Sequence, residues 1–457
     1  MHYRSQRVAY PYFLLSIILF ALQVVFGLLI GAQFIWPDIL SGLLPFDVGR
    51  EIHLNTMVFW LLLGLMGATY YLVPEEAQRE LYSTKIARVQ FWLLALTGVA
   101  AVVGFIFGLT EGREYIEAPR VLDWLIVAGA LMFLYNIVMT VVKGKGWTVT
   151  LGILIGGLAG LSVMYLFGMK FFGNLVLDQY YWWWVIHLWV EGTWEMIAAA
   201  ILAFMLIKIT GVSRKRVEKW LYIEAILVLA TGILGIGHHY YWIGTPKYWL
   251  AIGGFFSMLE PIPLVLMVWD TLHEYKSRTI KHQNEVALYW IVGGVVLHFI
   301  GAGVLGVVQT LPVVNQWTHG TQMTASHGHL AFFGAFAMLV IAAIYYMLPD
   351  MADKHDYNQR LGKWAFWTMT SSMVVMTAIL LGAGIVQVYL ERILGMAFVT
   401  VKSQYLSTWM LWRFITGLVF TAGVGMLVVD FFRLPIYVNR RFNSSGQRRK
   451  QESTVEL

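Results

Sequence analysis

The chain contains no cysteine. It therefore forms no disulfide, holds no iron–sulfur cluster and cannot attach a c-type haem, which requires a C-x-x-C-H sequence. Any metal is left to His, Asp, Glu or Met. Charge is scarce as well. Only 13% of the 457 residues are charged, against about 25% in ordinary soluble domains. Hydrophobic residues make up 59%, which leaves too little polar sequence for a separate soluble domain. There is no internal repeat and no low-complexity tract. The segment from Tyr10 to about Phe34 is too long for a signal-peptide core, and no small-residue cleavage site follows it. It reads as a retained first helix.

What is present is a recurrence of apolar runs, each near the roughly 20 residues that a spanning helix needs. The pattern predicts an all-α membrane protein with about twelve transmembrane helices. They fall near 10–35, 52–73, 87–109, 121–142, 148–168, 180–208, 218–242, 247–270, 285–308, 320–348, 363–389 and 405–432. Residues 1–457 read as a single polytopic domain in the lipid bilayer, closed by a polar, basic tail at 433–457.

Most of the 32 Lys and Arg residues fall in the loops of one side. The positive-inside rule makes that side cytoplasmic and puts both termini there. The clusters Lys143/Lys145, Arg214–Lys215–Arg216–Lys219, Lys276/Arg278/Lys281 and the tail Arg440–Lys450 need no other explanation than solvated loop ends. The net charge of +6 implies no nucleic-acid partner. One outer loop, TEGREYIEAPR at 110–120, is polar where the other connections are apolar.

Six of the twelve histidines gather at one depth, in the outer third of the membrane. They are His53, His187, His238, His239, His327 and His329. An imidazole in hydrocarbon is costly unless it is paired, and intramembrane ionisable residues mark functional sites. His53 by itself reads as readily as an interfacial histidine, and an adjacent pair at a helix end is often a solvent-facing accident. The set as a whole points to metal ligation.

Helical geometry sorts the six. His327 and His329 are two apart and point to nearly opposite flanks of one helix, so that helix can serve two metal centres. His53 with His329 fits a six-coordinate, low-spin haem, whose iron takes axial ligands from different helices. His327 alone leaves an open axial position. His187 and Glu191 are four apart and share a face. His238 and His239 converge only where a helix end loosens, which Gly235 and Gly237 permit. Three imidazoles and one carboxylate favour non-haem iron over copper. His298, in VVLHFIGAG, has no polar neighbour at helical spacing and reads as a packed or lipid-contacting side chain. His2, His273, His282, His319 and His355 are assigned nothing.

The motifs REIHLNTMVFW (50–60), TEGREYIEAPR (110–120), YYWWWVIHLWVEGTWE (180–195), GIGHHYYWIG (235–244), SMLEPIP (257–263) and SHGHLAFFGAF (326–336) carry a resemblance. The chain resembles the catalytic subunits of cytochrome c-dependent nitric oxide reductases, a branch of the haem–copper oxidase superfamily. That resemblance implies low-spin haem b on His53 and His329, and a high-spin haem b on His327. It implies a non-haem iron on His187, His238, His239 and Glu191. Glu195 and Glu260 would shape active-site acidity and proton delivery. Glu114 would help bind a calcium ion bridging the haem propionates. Oxygen-reducing relatives commonly carry a tyrosine four residues after the first metal-binding histidine, and copper in the site; here Glu191 holds that position.

The implied reaction couples two molecules of nitric oxide, two electrons and two protons to give nitrous oxide and water. Electrons would come from a membrane-anchored cytochrome c subunit docked on the periplasmic face of a bacterial inner membrane. Protons are expected from that same side, because the inner halves of the spans hold few ionisable groups, Glu224 being the main exception. Three other readings compete. A quinol-dependent nitric oxide reductase carries a longer N-terminal extension, whereas the first helix here starts by residue 10. A terminal oxidase would hold copper. A transporter would need repeat symmetry.

Overall fold

The computed structural model describes residues 1–277, 284–353 and 357–433. Arg278, Lys281, His282, His355 and the tail Arg440–Lys450 lie outside the described residues. Among the described residues, twelve helices are long and apolar enough to cross a membrane. They are α1 (Arg4–Ile35), α2 (Phe46–Glu76), α3 (Thr84–Ile106), α4 (Arg120–Val142), α5 (Val149–Gly168) and α6 (Leu175–Thr210). They continue as α7 (Arg214–His239), α8 (Lys247–Lys276), α9 (Glu285–Thr310), α10 (Gln322–Met351), α11 (Arg360–Ile393) and α12 (Phe398–Arg433). The apolar runs predicted the number and order of these spans. Most extend a turn or so beyond the predicted limits; α2 begins at Phe46, so His53 sits two turns inside the helix.

Three helices form the centre. The most apolar windows of α2, α6 and α10 are each 78% buried within the protein, while those of α1, α3 and α12 are 28–33% buried and present the remainder outward. All but two of the six histidines lie on the three central helices, away from the lipid-facing rim. With no hydrophobic force to separate helix from lipid, close helix contact in a membrane depends on small residues. Gly334 on α10 shows this: a Cβ there would overlap the backbone nitrogen of His298 on α9. Any larger residue would push the two helices apart.

Several helices depart from α geometry near the histidines. α6 widens into a π-helical turn at Leu188–Trp194, directly after His187. α9 does so at Phe299–Gly306 and α10 at Phe333–Ala337. Such turns re-aim side chains and are frequent at functional sites. α7 ends in a 3₁₀ turn, Gly235–His239. α8 is broken after Ser257, and Pro261 opens its second half, where the missing N–H is not needed.

The connections after odd-numbered spans meet at one end of the bundle, the end nearer the histidines. Arg113 in the 110–120 loop clamps this end. Its guanidinium pairs with Asp178 at 2.5 Å, donates to the carbonyls of Gly168 (3.0 Å) and Lys170 (2.8 Å), and stacks on Phe171 and Trp182. Breaking such a buried pair costs about 3–5 kcal/mol. At the opposite end, Glu75 pairs with Lys208 (2.5 Å) and Glu76 with Arg214 (2.7 Å).

Candidate metal centre

His187, Glu191, His238 and His239 offer ligand atoms that all lie within 4.8 Å of one another. Glu191 is the hub. One carboxylate oxygen is 3.2 Å from His187 Nε2; the other is 3.2 Å from His239 Nε2 and 3.5 Å from His238 Nε2. The 3₁₀ turn at the end of α7 lets adjacent histidines converge, with ring centroids 4.1 Å apart.

Each ring is held from behind. His187 Nδ1 is 3.1 Å from the Gly232 carbonyl, and His238 Nδ1 is 2.7 Å from Ser257 Oγ. The His239 ring stacks on Trp183 at 5.2 Å. A carbonyl acceptor fixes the Nδ1–H tautomer and leaves Nε2 as the donor. His187 Nε2 is buried without a hydrogen-bond partner, an orphan that is costly unless an ion takes it. Three aligned imidazole nitrogens and a carboxylate fit a divalent transition metal, with iron favoured by the hard oxygen donor.

The other three histidines divide as helical geometry predicted. His53 and His329 line one cavity of about 420 Å³ with Arg50, Tyr115 and Arg413, a volume within the roughly 300–1,000 Å³ of cofactor sites. Their Nδ1 atoms are turned to backbone carbonyls, of Gln23 at 2.8 Å and Ala325 at 2.7 Å. Gly27 makes room for the first ring: a Cβ there would lie 2.8 Å from His53 Cε1. Two imidazoles with free Nε2 atoms in one apolar cavity fit a bis-histidine haem. His327, on the other flank of α10, turns Nδ1 to the Gly301 carbonyl at 2.8 Å. It lies within electrostatic range of Glu191 and His238.

Two acids, Glu195 and Glu260, lie near the cluster, and Glu114 lies apart from it. Glu195 follows the π turn, within electrostatic range of Glu191 and Glu224. Glu260, at the break in α8, accepts a hydrogen bond from Thr231 Oγ1 at 2.9 Å and lies within range of Glu191, Glu195 and Glu224. Glu114 is about half exposed and paired with Arg50.

Of the two settings expected for His298, packed or lipid-contacting, the structure shows the packed one, with an acidic neighbour that the sequence did not reveal. It is buried, and its Nε2 lies 3.8 Å from Glu195. Its partner sits on α6, a contact that spacing within α9 does not reveal. Two further groups are not singled out by any sequence pattern. Ser257 backs the His238 ring. Glu117, buried in the outer loop, accepts from Asn55 Nδ2 at 2.5 Å. Burial pushes its carboxyl up to about 7, with Glu51 and Glu114 adding to the effect and Asn55 and Arg50 opposing it.

Residues 7–419 match the family described as cytochrome c and quinol oxidase polypeptide I. A nitric oxide reductase subunit of Stutzerimonas stutzeri is 45% identical over 463 residues, covering 96% of this chain and 97% of that protein. The cbb3-type cytochrome c oxidase subunit CcoN1 of the same organism is 23% identical, with 94% of each chain covered. Quinol oxidase subunit 1 of Bacillus subtilis is 26% identical over 46% of this chain and 32% of its own length. The chain belongs to the cytochrome c and quinol oxidase polypeptide I family, within its nitric oxide reductase branch.

Proposed function

We propose that this chain is the catalytic subunit of a nitric oxide reductase, an oxidoreductase of the haem–copper oxidase superfamily that reduces nitric oxide to nitrous oxide. The observation that carries the reading is the position of Glu191, a carboxylate shared by His187, His238 and His239. It supplies an oxygen donor where a phenol would serve oxygen cleavage.

A non-haem iron on these four residues, facing a high-spin haem b on His327, would supply two reducible centres for a pair of nitric oxide molecules. His53 and His329 would hold the low-spin haem b that receives electrons. The protein's own contribution is orientation. Gly232 and Ser257 hold His187 and His238, and Gly301 holds His327. Glu195 and Glu260 would hold and pass protons beside the cluster. Glu114 would be an oxygen donor to calcium at the rim of the low-spin haem cavity, since its partner Arg50 lines that cavity. The electron donor would be a membrane-anchored cytochrome c subunit, since a chain without cysteine holds no haem c of its own. The basic loops support a bacterial inner membrane setting with both termini cytoplasmic and the histidines toward the periplasm.

The test is metal and haem quantification on purified protein together with nitric oxide consumption and nitrous oxide release. The expected result is b-type haem plus additional non-haem iron, with activity. Copper equimolar with the chain would favour an oxidase, and protein with a single iron per chain would end the reading.

A further inference from the structure

Below the metal cluster, toward the opposite end of the bundle, lies a small cavity of about 30 Å³. A single water needs roughly 10–15 Å³ by the same measure, so there is room for about two. Its lining combines apolar side chains with an unusual polar set: Glu195 from α6, Glu224 from α7, and Trp290 and His298 from α9. Two of these groups carry buried atoms without a partner. Glu224 Oε2 and Trp290 Nε1 are both inaccessible, and neither has a hydrogen bond to protein. Glu224 is 2% exposed and Trp290 fully buried. His298 Nε2 and Glu195 Oε1, at 3.8 Å, stand too far apart for a direct hydrogen bond and at a spacing that water bridges.

An acceptor, a donor and a loosely spaced pair facing one small cavity are a site for ordered water. Leu202, Trp290 and Ile291 are among its apolar and aromatic lining. We propose that Glu195, Glu224 and His298 enclose a hydrated proton-storage chamber that serves the metal site from below. The inference rests on the nitric oxide reductase reading and extends it to a residue, Glu224, that touches neither metal nor substrate. When Glu195 gives a proton toward the cluster, the water passes one on from the Glu224 carboxyl group, which becomes a carboxylate. The same path in reverse returns the proton once Glu195 is reloaded. No electron moves, and the chamber is restored over a turnover. Trp290 and His298 act as positioning residues for the water.

The experiment uses purified protein loaded with haem and iron. Reduced-minus-oxidised infrared difference spectra are recorded in H₂O and D₂O for wild type and Glu224→Gln. The expected result is a carboxylic-acid carbonyl band that shifts in D₂O and is lost in Glu224→Gln, with haem absorbance unchanged. A band unaltered by the substitution overturns the chamber. Should Glu224→Gln fail to fold, a high-resolution cryo-electron microscopy map of the wild type decides. Density for water between Glu224 and Glu195 supports the chamber, and a dry cavity refutes it. Neither readout depends on turnover. A wet chamber in protein that consumes no nitric oxide would remove the functional reading alone, and a dry one in active enzyme would remove this inference alone.

Discussion

Ser257 Oγ lies 2.7 Å from Nδ1 of His238 and ties the break in α8 to the metal cluster at the end of α7. Outer contacts of this kind set ring orientation and ligand basicity, and losing one typically lowers metal affinity about 10–100-fold. Ser257→Ala should therefore reduce non-haem iron affinity by roughly that factor while haem content stays at the wild-type level. Iron competition against a graded chelator series reads the change. Unaltered affinity would show that Ser257 does not support the ligand.

Gly27 on α1 leaves room for the His53 ring. Gly27→Ala puts a methyl group 2.8 Å from Cε1, and the imidazole must move. The expected outcome is loss of the low-spin b-type haem signal with helical content preserved. Gly42→Ala is the control, since a Cβ there meets nothing within 4 Å. Equal haem content in both variants would remove His53 from the ligand set.

Glu195 stands beside the cluster without joining it. Glu195→Ala should abolish multi-turnover nitric oxide reduction and leave haem content intact, because the residues proposed to hold both centres lie elsewhere. Stopped-flow consumption of nitric oxide alongside optical haem quantification measures both. Full activity would defeat the assigned role.

Glu117 gives the outer loop a pH dependence whose sign follows from its raised proton affinity. Burial lifts its carboxyl from the ordinary 4.5 to about 7. The folded protein then binds the proton more tightly than the unfolded chain does. The stabilisation is complete below about 4.5 and is lost as pH rises through about 7, an effect of a few kcal/mol at most. Glu117→Gln keeps the neutral form throughout. With a calcium chelator present, the thermal midpoint of wild type minus that of Glu117→Gln should fall as pH rises across this window. A difference independent of pH would mean that Glu117 is not the titrating group.

Much of this was legible in sequence because the signals are local. Each spanning helix is written in its own run of apolar residues. His187 and Glu191 share a face by spacing alone, and His327 and His329 separate by the same logic. The two glycines before His238 announced a loosened helix end. The rest depends on helices far apart in the chain. His298 looked isolated because its partner is on α6. Ser257 reads as an ordinary small polar residue until α8 is seen to break against α7. The π turns of α6, α9 and α10 arise from packing around a crowded centre, and no residue pattern marks them. Glu117 sat in a loop that looked solvated, and Arg113 folds that loop back onto α5 and α6.

The opposite end of the bundle bears on where protons come from. Between Glu195 and the end of α6, the stretch Met196–Leu206 has no ionisable side chain and is buried throughout. Two acids at that end are already engaged, Glu75 with Lys208, and Glu76 with Arg214. A proton path through a membrane needs relays at short spacing, and the described residues of this stretch supply none. Protons consumed at the cluster should then enter from the end nearer the histidines, the side proposed to receive electrons. Charge of both kinds arriving from one side moves none across the membrane. Proteoliposomes turning over nitric oxide should show no membrane potential and no alkalinisation of a pH indicator trapped on the side of the termini. Charge uptake from that side would overturn the proposed direction of proton supply.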